Sequence, residues 1–254
     1  MYDFWLGLSP VMQGFLATVA TGLATGVGAL PVLFTTNVSE RLLDALLGFA
    51  AGVMLAATAF SLIIPAIEYG NIWIACAGIL AGALFLSFLD RVIPHLHAVK
   101  GEEGPPSRLR RVWLLIIAIT LHNFPEGLAV GVGFGGGEVA MAVALGIAIG
   151  LQNMPEGLAV ALPLVRERYS RGRAIGYAAL SGLAEPIAGV LGAAAVTIAR
   201  PILPWGLAFA AGAMLFVVSD EIIPETHTRG YQRAGTFGVI VGFVVMMFLD
   251  NAFG

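Results

Sequence analysis

The stretch LHNFPEGLAV, residues 121–130, sets a histidine, an asparagine, a proline and a glutamate inside a long apolar run, and residues 151–160, LQNMPEGLAV, nearly repeat it. The surroundings decide how these residues are read. Of 254 residues, 58% are hydrophobic and 11% charged, less than half the charged share of about 25% found in ordinary soluble domains. Apolar segments of about 20 residues or more, enough to cross roughly 30 Å of hydrocarbon at about 1.5 Å per residue, recur from end to end. They predict eight transmembrane helices, at about 11–33, 42–67, 72–94, 111–134, 139–165, 174–198, 201–223 and 235–253. The fold class is therefore all-α membrane protein, with a single transmembrane domain over 1–254. The segment at about 95–110 (HLHAVKGEEGPPSRLR) is expected to be a mobile connection. No short apolar segment with a cleavage site precedes the first span, which is expected to be retained. The lone Cys76 excludes an internal disulfide.

The thirteen Lys and Arg residues orient the spans. With the N-terminus outside, Arg41, Arg91, Lys100, Arg108, Arg110, Arg111, Arg166, Arg168, Arg171, Arg173, Arg229 and Arg233 fall on the cytoplasmic side, and Arg200 alone does not. This asymmetry predicts an even span count and both termini extracytoplasmic. A multi-pass protein of a bacterial inner (plasma) membrane is expected. The run RERYSRGR at 166–173 is explained by topology, with anionic lipid contact secondary. Nothing indicates nucleic-acid binding.

A shift of 160 residues aligns TGLAT (21–25) with SGLAE (181–185), FAAGVML (49–55) with FAAGAML (209–215), and FLD (88–90) with FLD (248–250). Helices 1–3 thus echo helices 6–8. An offset of five spans reverses direction, which predicts an inverted repeat around a central kinked helix pair, 4–5. Transporters of this architecture hold their sites near mid-membrane at the repeat interface.

His122 to Glu126 fall near the middle of span 4, Gln152 to Glu156 near the middle of span 5, and Glu185 near the middle of span 6. An ionisable side chain at that depth costs about 2.5–3.5 kcal/mol even on the lenient scale, and the arginines sit at the membrane faces. A bound metal ion is the natural compensating charge. At about 100° per residue, Asn123 lies about 100° from His122 and Glu126 about 40° from it. Glu126 can therefore share one ion with His122 and a second with Asn123. Gln152, Asn153 and Glu156 repeat the geometry, so two facing helices frame two adjacent sites bridged by two glutamates, with Glu185 as a further oxygen ligand. An imidazole nitrogen suits Zn²⁺ or a similar ion, and the second site is all oxygen. Pro125 and Pro155 are expected to kink their helices and free the carbonyls of Leu121 and Leu151. Gly127 and Gly157 allow close helix approach.

These residues resemble the ZIP (Zrt-/Irt-like) family of divalent-metal transporters, prokaryotic type, whose fourth and fifth spans carry HNxPEG-type motifs. The resemblance covers essentially the whole chain. It implies uptake of Zn²⁺ or related ions into the cytosol through a site or binuclear metal centre with alternating access. The first site would use His122, Glu126, Gln152 and Glu156, and the second Asn123, Glu126, Asn153, Glu156 and Glu185. It also implies an elevator movement of spans 1, 4, 5 and 6 against the other four. Gln152 stands where many members have a second histidine and Asn153 where some have aspartate, which leaves Cd, Fe, Mn and Co open beside Zn. No cofactor is expected beyond the transported divalent cation. The expected partners are that metal ion and the lipid bilayer, with a homodimer left open.

Other residues carry weaker signals. Met54, at mid-depth in span 2, could offer a thioether to the first site, with core packing as the alternative. Asp220, Glu221, Glu225 and His227, in SDEIIPETH, could form an exit relay at the end of span 7. Glu68, with Glu138 and Asp3, could draw cations to an entrance. His95 and His97, with Glu102 and Glu103, could bind metal in the cytosol. A channel-like permease of broad specificity stays open as an alternative. An intramembrane metalloenzyme is disfavoured, because no second histidine stands at HExxH spacing. The charge asymmetry makes a direct prediction: alkaline phosphatase fused after Gly254 is active at the cell exterior, and the same reporter inserted at Gly104 is inactive.

Overall fold

The computed structural model describes residues 5, 7–97 and 101–253; Asp3 and Lys100 lie outside them. Eight helices are long and apolar enough to cross a membrane: span 1 (Pro10–Leu33), span 2 (Glu40–Tyr69), span 3 (Ile72–Val92), span 4 (Val112–Gly136), span 5 (Val139–Arg166), span 6 (Arg171–Ile198), span 7 (Arg200–Thr226) and span 8 (Gln232–Phe253). Every expected segment is present, with ends shifted by a few residues. Side chains that accept from the first free N–H groups start four of them: Ser9 caps span 1, Ser39 span 2, Asn71 span 3 and Ser170 span 6.

Three spans depart from regular α-helix in their interior. Spans 2 and 7 widen into π turns at Thr58–Ile63 and Val218–Ile222, at positions related by the 160-residue offset. Proline explains the pair. Pro65 and Pro224 lack an N–H and crowd the carbonyls four residues earlier, at Ser61 and Asp220, so the preceding turn expands. Span 6 is broken between Arg171–Ser181 and Ala184–Ile198. Spans 4 and 5, where bending is expected, carry Pro125 and Pro155 inside continuous helices.

Small residues decide which spans meet. Spans 2 and 8 pack together, as do spans 3 and 7; spans 1, 4, 5 and 6 pack among themselves, and span 5 also meets span 2 and span 4 meets span 7. A Cβ on Gly52 would meet the backbone of Val239 and Phe243 in span 8, and one on Gly242 the backbone of Phe49 in span 2. Gly82 and Gly212 do the same between spans 3 and 7. Gly22 and Gly182, also 160 residues apart, oppose each other's backbone where spans 1 and 6 cross. Such contacts replace a hydrophobic driving force that is absent between helices in lipid. The outermost faces belong to span 3 (Leu80, Leu84, Phe88) and span 8 (Phe237, Ile240, Val244, Phe248), which are exposed and apolar.

The connection after span 3 is more ordered than its Gly and Pro content suggests. Strand β1 (His95–His97) pairs antiparallel with β2 (Gly101–Glu103), setting His95 opposite Glu103. Burial of His95 and Leu96 ties this hairpin to the arginine-rich end of the bundle, a tertiary cause that local composition does not reveal. Close glycine packing predicts that Gly52→Val, which forces a side chain into span 8, costs about 1–3 kcal/mol by overpacking. Thermal denaturation in detergent should show a lowered midpoint, whereas Gly176→Ala, where a Cβ meets open space, should not be destabilised.

Candidate metal centre

The two PEG glycines explain how the doubled motif is positioned. A Cβ at Gly127 would collide with the backbone of Glu185, and one at Gly157 with the backbone of Thr25. Only glycine lets span 4 lie against the broken segment of span 6 and span 5 against span 1. The break in span 6 has its own electrostatic effect. Glu185 sits in the first turn of the second helical segment, Ala184–Ile198, where unpaired N–H groups and the helix dipole favour negative charge.

Buried polar side chains converge there. Asn123, Glu126, Gln152, Asn153 and Glu185 are fully buried and Glu156 nearly so. Glu126, Glu156 and Glu185 lie close enough for each to feel a neighbouring charge. Glu185 is held on both oxygens, one accepting from the Thr21 hydroxyl and the other from Asn153 Nδ2 at 2.7 Å. Asn153 also donates to the Thr21 carbonyl at 2.8 Å. Glu126 Oε1 accepts from Gln152 Nε2. The remaining atoms are orphans: both polar atoms of Asn123, Glu126 Oε2, Gln152 Oε1, Asn153 Oδ1 and both oxygens of Glu156 have no hydrogen-bond partner among the described residues. All but Asn123 Nδ2 are oxygens able to donate a lone pair. Buried polar groups are normally satisfied, and no described Lys or Arg pairs with these carboxylates.

A cavity of about 310 Å³ joins this centre to the arginine-rich face. His122 and Glu156 form its deep end, Asp220 and Glu221 its wall, and Glu40, Arg166, Glu225 and Arg229 its rim. His122, expected beside Glu126, directs Nε2 to Glu221 instead. Glu221, Asp220 and Asp90 then bring one oxygen each within 4.8 Å of one another. Next to them the buried His95 holds Nε2 3.7 Å from Asp90 and 3.8 Å from Glu103. Its Nδ1 lies 2.7 Å from the Ile93 carbonyl. A carbonyl only accepts, so Nδ1 carries the proton and Nε2 faces the carboxylates. Asp90 in the FLD repeat and Thr21 in TGLAT are not singled out by the local sequence; their polar character at matched repeat positions is the signal that points to them.

The other candidates are placed differently. Met54 is fully buried in the apolar core, as is Met214. Glu225 pairs with Arg229, which also binds the buried Asp44 at 2.7 Å and reaches Glu40 at 3.4 Å. Burial works against the Arg229 charge, but Glu225 and Asp44 hold its pKa above the ordinary value. His227 is engaged by Thr226, the Ile223 carbonyl and Thr236 and does not line the cavity. Glu68 is exposed at the opposite end of span 2.

Comparison with known proteins follows this geometry. Residues 101–250 match the family described as ZIP Zinc transporter. The chain is 44% identical over 253 residues to the zinc transporter GufA of Myxococcus xanthus, covering 95% of this chain and 99% of that one. It is 44% identical over 248 residues to the zinc transporter ZIPB of Bordetella bronchiseptica, covering 91% and 78%. It is 40% identical over 339 aligned positions to the human zinc transporter ZIP11, covering 98% and 99%. The hold on Glu185 is directly testable. Thr21→Val keeps the shape and removes the hydroxyl, leaving a buried carboxylate oxygen unsatisfied at about 1–3 kcal/mol. The thermal midpoint should fall by about 2–4 °C per kcal/mol, and Thr21→Ser should restore it.

Proposed function

The chain belongs to the ZIP zinc transporter family, and from that premise we propose that it carries Zn²⁺ across the membrane through a binuclear centre at Glu126 and Glu156. One observation carries the reading: six buried oxygens, from Asn123, Glu126, Gln152, Asn153 and Glu156, converge without hydrogen-bond partners or a paired fixed cation among the described residues. A divalent cation satisfies the oxygens and neutralises the acids in one step. The first site takes His122, Glu126, Gln152 and Glu156. The second takes Asn123, Glu126, Asn153, Glu156 and Glu185, and Thr21 is a positioning residue for Glu185. A mixture of one imidazole with oxygen donors suits Zn²⁺ and leaves Cd²⁺, Fe²⁺, Mn²⁺ and Co²⁺ as competing cargo.

The cavity that reaches His122 and Glu156 is lined from the arginine-rich face and by no residue of the opposite ends. That one-sidedness supports alternating access over an open pore. With the arginine-rich face in the cytoplasm of the plasma membrane and both termini outside, this is the cytosol-facing state. The ion's way out runs from Glu156 past His122, which exchanges Glu221 for the metal, to the carboxylates of Asp220, Glu221 and Asp90. His95 stands next in line. An elevator movement of spans 1, 4, 5 and 6 carrying both sites would slide against spans 2, 3, 7 and 8 along the seams where span 5 meets span 2 and span 4 meets span 7. The paired π turns and the Gly22–Gly182 crossing support an inverted repeat. A homodimer would use the exposed apolar faces of span 3 or span 8, and no resident cofactor or catalytic step is called for.

The test is metal uptake by proteoliposomes under a panel of divalent ions. Zn²⁺ should enter the parent's vesicles, and Glu126→Ala and His122→Ala should each slow initial uptake by at least about tenfold, as loss of ligand organisation does elsewhere. Uptake unchanged in Glu126→Ala would sink the assignment.

A further inference from the structure

In the half of the membrane away from the arginine-rich face, spans 1 and 5 do not close against each other. Between them lies a crevice of about 630 Å³, twice the volume of the metal-facing cavity. Its walls are made from small residues, Ala17 and Ala20 on span 1 and Gly146 and Gly150 on span 5, and it is closed at the outer end by Trp5 and Phe253. A Cβ on Gly146 would meet nothing within 4 Å. The mouth faces the hydrocarbon, for Ile147 and Phe253 in the lining are 41% and 50% exposed.

Three fillers are conceivable, and two fail. Emptiness would leave every wall atom without a dispersion partner, over a space equal to about twenty waters at roughly 30 Å³ each. Water needs two to four polar partners per molecule, and this lining is almost wholly apolar: the Thr21 hydroxyl is already given to Glu185. Hydrocarbon from the surrounding bilayer remains.

We propose that this crevice is a binding site for one acyl chain of a membrane lipid, which enters through the mouth that faces the hydrocarbon. The chain fills the trough over Gly146 and Gly150 and ends against the methyl side of Thr21, whose Cγ2 lies 3.9 Å from a Cβ built on Gly150. Because Thr21 holds Glu185 and, through its carbonyl, Asn153, the lipid braces the back of the metal centre from the membrane side. Span 1 and span 5 are thereby spaced by a bilayer component rather than by protein.

The experiment reconstitutes the whole chain in phosphatidylethanolamine–phosphatidylglycerol vesicles doped with a phosphatidylcholine that carries a diazirine near the end of one acyl chain. After irradiation without added metal, the parent should be labelled on segments 17–21 and 143–150, as well as on the lipid-facing surface around Phe248. Gly146→Phe puts a ring into the open space and should lose the label at both crevice segments while keeping it at Phe248. Ala20→Leu, which fills the trough from the opposite wall, should lose the same label and serves where the phenylalanine variant fails to fold. Crevice labelling that persists in both filled variants, or a parent labelled only on its outer faces, would overturn the proposal. The readout does not involve zinc, so its failure is distinguishable from failure of the transport reading.

Discussion

Three glutamates, Glu126, Glu156 and Glu185, sit buried at mid-membrane with no described arginine or lysine paired to them. The rest of the molecule is arranged around that cost. Glu185 is met by a broken helix end, a threonine hydroxyl and an asparagine amide, enough to satisfy it without metal. Among the described residues Glu156 has neither oxygen satisfied, and Glu126 has only one. The two motif glutamates are thus the unsaturated part of the site and Glu185 its fixed wall. That division suits a centre which has to let its cation go.

Glycine is what makes the arrangement affordable in lipid. Gly127 and Gly157 stand one residue after the glutamates, each removing the side chain that would separate the motif helix from Glu185 or Thr25. The PEG sequence therefore couples three features on one turn: a proline that forfeits a hydrogen bond, a buried carboxylate, and the close approach that brings the second helix's donors within reach. Farther out, Gly52, Gly82, Gly212 and Gly242 do the same for the four surrounding spans, without polar cargo.

The eight spans and the motif were legible because both depend on properties the chain carries locally: hydropathy over some twenty residues, and carboxylates out of place within it. What was not legible depends on contacts distant in sequence. Nothing local says that His122 turns to Glu221, 99 residues away, or that Asp90 joins Asp220 and Glu221. The hairpin at His95–Glu103 reads as a loop until its histidine is seen buried beside Asp90. Pro125 and Pro155 stand inside continuous helices, and Pro65 and Pro224, to which the local sequence assigns no role, follow π turns. Glu225 was grouped with Asp220 and Glu221, but Arg229 holds it at the rim, and His227 is spent on neighbouring threonines.

The central claim is that a divalent cation supplies the charge missing between Glu126 and Glu156. Anomalous X-ray diffraction from crystals grown in saturating zinc, measured on both sides of the zinc absorption edge, addresses it most directly. The account predicts an anomalous peak between the two glutamates, with carboxylate oxygens about 2.0–2.2 Å from it. Absence of a peak there, with both side chains facing lipid or bound to an arginine, would contradict it.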